Sequence, residues 1–192
     1  GFEVAEQLGW RLPDHVVVPI ASGALMTKVH RAFRELVAIG AVPDRAYRIS
    51  GAQAEGCAPV ARAFAAGTEE VRPVKPDTIA RSLAIGSPAD GPYAIQTARS
   101  TAGVIDACTE DEVIDGIRLL AETEGVFTET AGGVTVAVLR RLREAGAIRP
   151  DEETVALITG NGYKTIEALE GTLEASYRVA PSLDAFLAAI GV

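Results

Sequence analysis

Cysteine, aromatic residues and excess positive charge are scarce in this chain. Its 192 residues include two cysteines, two histidines, one tryptophan and one methionine. Cys57 and Cys108 stand far apart and outside any CxxC, which speaks against a disulfide scaffold or a zinc ribbon. They read as small buried hydrophobes in a reducing cytoplasm. Aromatics at 5% fit helices on a parallel sheet better than a β-sandwich. With 18 basic against 26 acidic residues, a net charge of −8 and no Lys/Arg cluster, nucleic-acid binding is set aside. No run approaches the roughly 18 apolar residues of a membrane span. The opening GFEVAEQLGW also lacks the charge-then-apolar order of a signal peptide. Neither GxGxxG nor GxxxxGK[ST] occurs, which argues against a dinucleotide or a nucleoside triphosphate. Neither a catalytic triad nor a metal-ligand spacing emerges, and His15 and His30 are expected to be exposed or behind the site.

What the chain has in quantity is Ala, Val, Leu, Ile and Gly, and its 48% hydrophobic content can fill a sizeable core. Strand-like and helix-like stretches alternate. Val16–Ile20 is an uninterrupted apolar run, as for a strand covered on both faces. Residues 27–39 place Val29, Phe33, Leu36 and Val37 on one helical face, and Gly40 stops that helix. AYRISGAQ and GVIDAC read as strands, and APVARAFAAG as a short helix. Residues 72–95 carry four prolines and appear as no single element in the pattern. Thr109 and Glu112 make a capping box opening a helix with Val113, Ile117 and Leu120 on its apolar face. VFTETAGG reads as a short strand before a helix ending at Gly146, and ETVALITGNG as a strong strand. The last stretch starts helical and continues as a less regular tail. A parallel, helix-covered α/β sheet follows. Gly1-Phe2 has no initiator Met and FEVAEQLG reads as a helix under way, so the chain is expected to be cut from something longer.

Three strand ends run into small-residue loops: PIASGAL, FTETAGG and LITGNG. In open α/β sheets ligands sit outside the carboxyl ends of the strands. At the first loop the following helix offers unpaired N–H groups. A phosphate there would meet the N–H groups of Gly23, Ala24 and Leu25, with the Ser22 hydroxyl as a further donor. A plain tight turn is the competing reading. Thr159 would point a hydroxyl into the same crevice. Asn161-Gly162 fits a turn as well as a site, and Glu129 fits a surface carboxylate as well as a site group.

Taken together, VPIASGALMTKVHRAFRELVAIG, AQAEGCAPVARAFAAG, RPVKPDTIARSLAIGSPADGPYAI, LAETEGVFTETAGGVTVAVLRRL and ITGNGYKT resemble the threonine synthase family, pyridoxal-phosphate enzymes of fold type II. The resemblance runs in order from Phe2 to about Thr165. It implies the tryptophan synthase β-subunit-like fold, a three-layer parallel sheet with helices on both faces. Residues 1–192 would be the C-terminal part of the large cofactor-binding domain. Ala21–Leu25 would bind the cofactor phosphate, and Thr159 would hydrogen-bond the pyridine nitrogen. A neutral hydroxyl there does not force that nitrogen to be protonated. Glu129 matches a carboxylate close to the cofactor, and Ala84 lies in a loop laid near the ring, with Asn161 also near it. The family converts O-phospho-L-homoserine and water to L-threonine and phosphate. Its Schiff-base lysine belongs to an N-terminal segment outside this chain, because Lys28, Lys75 and Lys164 all fall in C-terminal motifs. The isolated chain is therefore expected to be inactive. An amino-acid dehydratase or cysteate synthase of the same fold, and a non-catalytic anion-binding module, are the alternatives. The resemblance leaves room for a homodimer.

Overall fold

His15–Pro19 (β1), Arg48–Ala54 (β2), Ile105–Cys108 (β3) and Thr154–Ala156 (β4) are the strands of the computed structural model, which describes residues 1–172 and 177–191. They form one sheet in the order β3-β2-β1-β4, with every pairing parallel. All five residues of β1 are buried. Because side chains alternate across a strand, Val16 and Val18 enter one core and Val17 the other.

The first core lies under Phe2–Gln7 (α1), Ala24–Ala38 (α2), Pro59–Ala65 (α3) and Gly91–Ser100 (α4). Met26, Val29, Phe33 and Leu36 of α2 meet Val60 of α3 and Ile95 of α4 there. Glu110–Glu124 (α5) and Thr130–Glu144 (α6) cover the opposite face through Val113, Ile117, Val134 and Val138. This is the expected three-layer α/β architecture. α5 and α6 cross closely: a Cβ on Gly116 would stand 2.4 Å from the Gly133 carbonyl oxygen. Leu183–Ile190 (α7) has no buried residue, and residues 173–176 and 192 of the expected tail lie outside the described residues.

The capping box is present: Glu112 N–H donates to the Thr109 hydroxyl and Thr109 N–H to the Glu112 carboxylate. Gly40 takes a φ of +71° after α2, as a helix-stopping glycine should. Three readings of the sequence need correction. VFTETAGG is no strand: Thr128 makes a lone antiparallel bridge to Asn161, and Ala131-Gly132-Gly133 already belong to α6. The last strand is only three residues long, because it forms the edge of the sheet. Residues 72–95 are no single element, as expected; their end enters α4, whose first turn is Gly91-Pro92, where proline is tolerated. His15 is not exposed but 1% accessible, as the first residue of the central β1.

Residues 73–90 run as an irregular strap near the carboxyl ends of β2 and β3. Thr78 and Ile79 both donate to one oxygen of Glu110, and Asp77 N–H donates to the Gly56 carbonyl at 2.9 Å. Arg81–Leu83 forms a single 3₁₀ turn packed on α6. The buried Gln53 of β2 accepts from the N–H groups of Val60 and Ala61, so a strand side chain caps α3. The QAEG stretch thus has a structural reason of its own.

Candidate functional site

β1 ends at Pro19, and four residues later the chain enters α2 through Gly23. Gly23 has a φ of +97°, and a Cβ there would stand 2.6 Å from the Asp90 carbonyl oxygen. Both facts demand glycine. Asp90 N–H donates to the Ser22 carbonyl at 2.9 Å, so the start of α4 braces the loop. Ala24 N–H reaches the Ser22 hydroxyl oxygen at 3.3 Å. The N–H groups of Gly23 and Leu25 find no acceptor among the described residues. These donors stand at the positive end of a 15-residue helix. The Asp90 carboxylate lines the neighbouring cleft with Lys28 and Arg31.

The other two loops meet each other. Glu129 is the residue before α6, and its N–H donates to the Gly160 carbonyl at 3.1 Å. Thr128 donates its hydroxyl to the same carbonyl at 3.1 Å. Glu129 is 2% exposed, so the surface-carboxylate reading is excluded. Thr159 is placed to donate to Glu129 Oε1 at 3.4 Å. A Cβ on Gly160 would lie 2.2 Å from that oxygen, so only glycine lets the carboxylate in. Oε2 stands 2.8 Å from Lys164 Nζ, a close ion pair whose angles fall outside hydrogen-bond geometry. Sequence reasoning did not single out Lys164, because nothing local links it to a carboxylate 35 positions earlier.

Leu25 and Thr159 line a common cavity of about 470 Å³ between α1, α2 and β4. The structure therefore brings the Ser22–Leu25 loop, Thr159 and Glu129 to one side of the sheet. Ala84 directly follows the 3₁₀ turn, and Arg81 pairs with Glu167 at 3.3 Å, tying that strap to the segment after Thr159. Asn161 has a local duty: its side-chain oxygen accepts from Tyr163 N–H at 3.0 Å as the cap of the 3₁₀ segment Gly162–Leu169. The Thr130 hydroxyl, one residue past Glu129, is buried with no partner among the described residues. Neither cysteine takes part: burial holds both thiols protonated, and Cys108 is pushed up to about 12.

A family profile described as pyridoxal-phosphate dependent enzyme matches residues 1–160. The chain is 35% identical over 168 residues to a threonine synthase of Methanocaldococcus jannaschii, covering 87% of this chain and 41% of that protein. It is 32% identical over 191 residues to a threonine synthase of Methanosarcina acetivorans, covering 99% of this chain and 47% of that protein. The chain thus spans less than half the length of these curated relatives. Among solved structures, an L-serine ammonia-lyase from the fungus Rhizomucor miehei superposes with a TM-score of 0.67 at 19% identity, over 90% of this chain and 54% of the other. That likeness concerns the fold.

Proposed function

From the premise that the chain belongs to the pyridoxal-phosphate dependent enzyme family, we propose that it is the phosphate-binding portion of a threonine synthase. In this reading the complete protein converts O-phospho-L-homoserine and water to L-threonine and phosphate, in the cytoplasm. The residues present fit the cofactor. Gly23 packs against the Asp90 carbonyl where no Cβ would fit, which fixes the loop, and the Gly23 and Leu25 N–H groups find no acceptor among the described residues at the start of α2. Those N–H groups at the start of α2 are the observation that carries the reading. Ser22 to Leu25 would hold the phosphate with backbone amides and one hydroxyl. Thr159 would meet the ring nitrogen, with Glu129 behind it. Ala84 would lie beside the ring through the strap at 81–86, and Asn161 would shape the loop after Thr159.

When bound, the cofactor supplies an electron sink for carbanions at substrate carbon. The chain itself contributes binding and orientation, and its lysines are placed for other work. Lys28 lines the α2–α4 cleft, Lys75 is exposed on the strap, and Lys164 is paired to Glu129. A lysine that bonds the cofactor aldehyde would therefore come from outside residues 1–192, and this chain alone would be inactive.

The test is release of phosphate from O-phosphohomoserine with pyridoxal phosphate added. It is run on this chain and on the polypeptide that includes the sequence preceding Gly1. The longer polypeptide is expected to release phosphate and form threonine, and this chain neither. Silence from a longer polypeptide that has taken up the cofactor would defeat the substrate assignment.

A further inference from the structure

The strap at residues 73–90 is a loop closed at its neck. Val74 N–H donates to the Gly86 carbonyl at 2.9 Å, and a Cβ on Gly86 would stand 1.9 Å from the Val74 carbonyl oxygen. Past the neck, Asp90 N–H reaches the Ser22 carbonyl, while inside the loop Arg81 pairs with Glu167. The strap thus runs between the phosphate loop and the segment after Thr159. Ala80 and Leu83 are buried in the core that α5 and α6 cover, which sets the depth of the strap. Apolar burial has no direction, so another tie must fix where the strap lies along the strand ends. The Arg81–Glu167 pair is too exposed for that, with 75% and 41% of its side chains accessible.

Glu110, the first residue of α5, supplies the tie. Its Oε2 accepts from the Thr78 hydroxyl at 3.0 Å and from Ile79 N–H at 2.9 Å. The Thr78 oxygen accepts in turn from Ala80 N–H at 3.0 Å, so one carboxylate orients three successive residues. Oε1 is buried beside Gly56 with no partner among the described residues. A Cβ on Gly56 would stand 3.1 Å from that oxygen and 1.7 Å from the Asp77 carbonyl oxygen, so glycine lets strap and carboxylate close in. The positive end of α5 favours the charge at this place. We propose that Glu110 is a positioning residue: from the start of α5 it fixes the strap so that Ala84 forms a wall for the cofactor ring. The phosphate loop, braced separately by Asp90, does not depend on it. This rests on the reading of Ala84 as a neighbour of the ring.

The test separates the ring from the phosphate. Pyridoxine 5′-phosphate, which has no aldehyde and binds without a lysine, and inorganic phosphate are titrated into the polypeptide that includes the sequence preceding Gly1, freed of cofactor. Glu110→Ala should weaken pyridoxine 5′-phosphate about tenfold and inorganic phosphate less than about twofold. Glu110→Gln, whose amide oxygen can accept both bonds, should stay within about threefold of the original for either ligand. Thr78→Val, which leaves α5 untouched, should weaken the ring ligand about threefold and phosphate not at all. Trypsin gives a reading that needs no ligand. Arg72 and Lys75 precede prolines, so Arg81–Ser82 is the one bond it can cut between residues 72 and 90. Cleavage there should quicken about fivefold in Glu110→Ala, with the urea midpoint little changed. Equal losses for the two ligands, or an unmoved affinity for pyridoxine 5′-phosphate in Glu110→Ala, would overturn the proposal. If the unaltered polypeptide bound neither ligand saturably, the phosphate-loop reading would fall, and this inference with it.

Discussion

At the carboxyl end of the sheet Glu129 is buried beside a crevice, with an exposed lysine on one oxygen and a threonine on the other. At the amino end His15 is buried in the central strand, with its Nε2 2.7 Å from the Ser50 hydroxyl and its Nδ1 unpartnered among the described residues. Thr154, its neighbour in register on β4, likewise has a buried unpartnered hydroxyl. Around it Arg48 pairs with the nearly enclosed Glu152 and donates to the Ala147 carbonyl at 2.6 Å. The two ends bury titratable groups for different ends. The amino end keeps its histidine neutral and closes its charges on one another. The carboxyl end leaves donors without acceptors among the described residues at Gly23 and Leu25, small residues at Gly23 and Gly160, and a charge pair with one partner in solvent. Parallel strands explain the division, because the loops that carry ligands all leave from one end of such a sheet.

Substitutions at the two ends should separate binding from stability. The largest effect belongs to Gly23→Val. A branched residue at φ +97° pressed against the Asp90 carbonyl should cost roughly 2–4 kcal/mol and lower affinity for pyridoxine 5′-phosphate by more than about thirtyfold. Urea unfolding and ligand titration read the two separately; unchanged affinity would remove the phosphate loop from the site. Arg48→Met comes next. It strips the main partner from Glu152, which keeps only Arg149 at 3.1 Å, so about 2 kcal/mol of stability should go. Ligand affinity should stay within twofold, and a matching loss of binding would show that the ends are coupled.

Acid sensitivity is the last and most graded difference. Burial, assisted by the Arg48 cation and opposed by Glu152, pulls His15 down to about 4. The unfolded chain takes up a proton near pH 6.5, whereas the folded one resists until about pH 4. The unfolded state binds more protons in that window, so stability is full above pH 6.5 and falls as the pH drops towards 4. The loss should approach about 3 kcal/mol, and His15→Asn should flatten the slope between pH 6.5 and 4.5 in urea-melt midpoints. An equally steep slope in the variant would assign the sensitivity to carboxylates instead.

Much of the frame was legible along the chain. The run Val16–Ile20, the Thr109/Glu112 box and the glycine after α2 each act within a few residues, where local sterics and hydrogen bonding dominate. The loops Ser22–Leu25 and Thr159–Gly162 stood out because small residues after a strand are a local signal too. α4 was hidden by prolines at 88 and 92, although its Pro92 sits in the first turn. Glu129 was misplaced onto a strand because TETAGG has poor helix formers, and propensity yields to packing where α6 must press against α5.

The strand–helix alternation outside α4 and the VFTETAGG stretch, the parallel class, the absence of a membrane-length apolar helix among the described residues and the two small-residue loops were thus set by sequence alone, since each depends on neighbours a few positions apart. The folded chain decided the rest. It set Glu129 against Lys164 and Thr159, Gln53 under α3, and His15 beside Ser50. These pairs lie 7 to 35 positions apart. What joins them is the meeting of strand ends and helix starts in one sheet, a relation in space that no periodicity along the chain encodes.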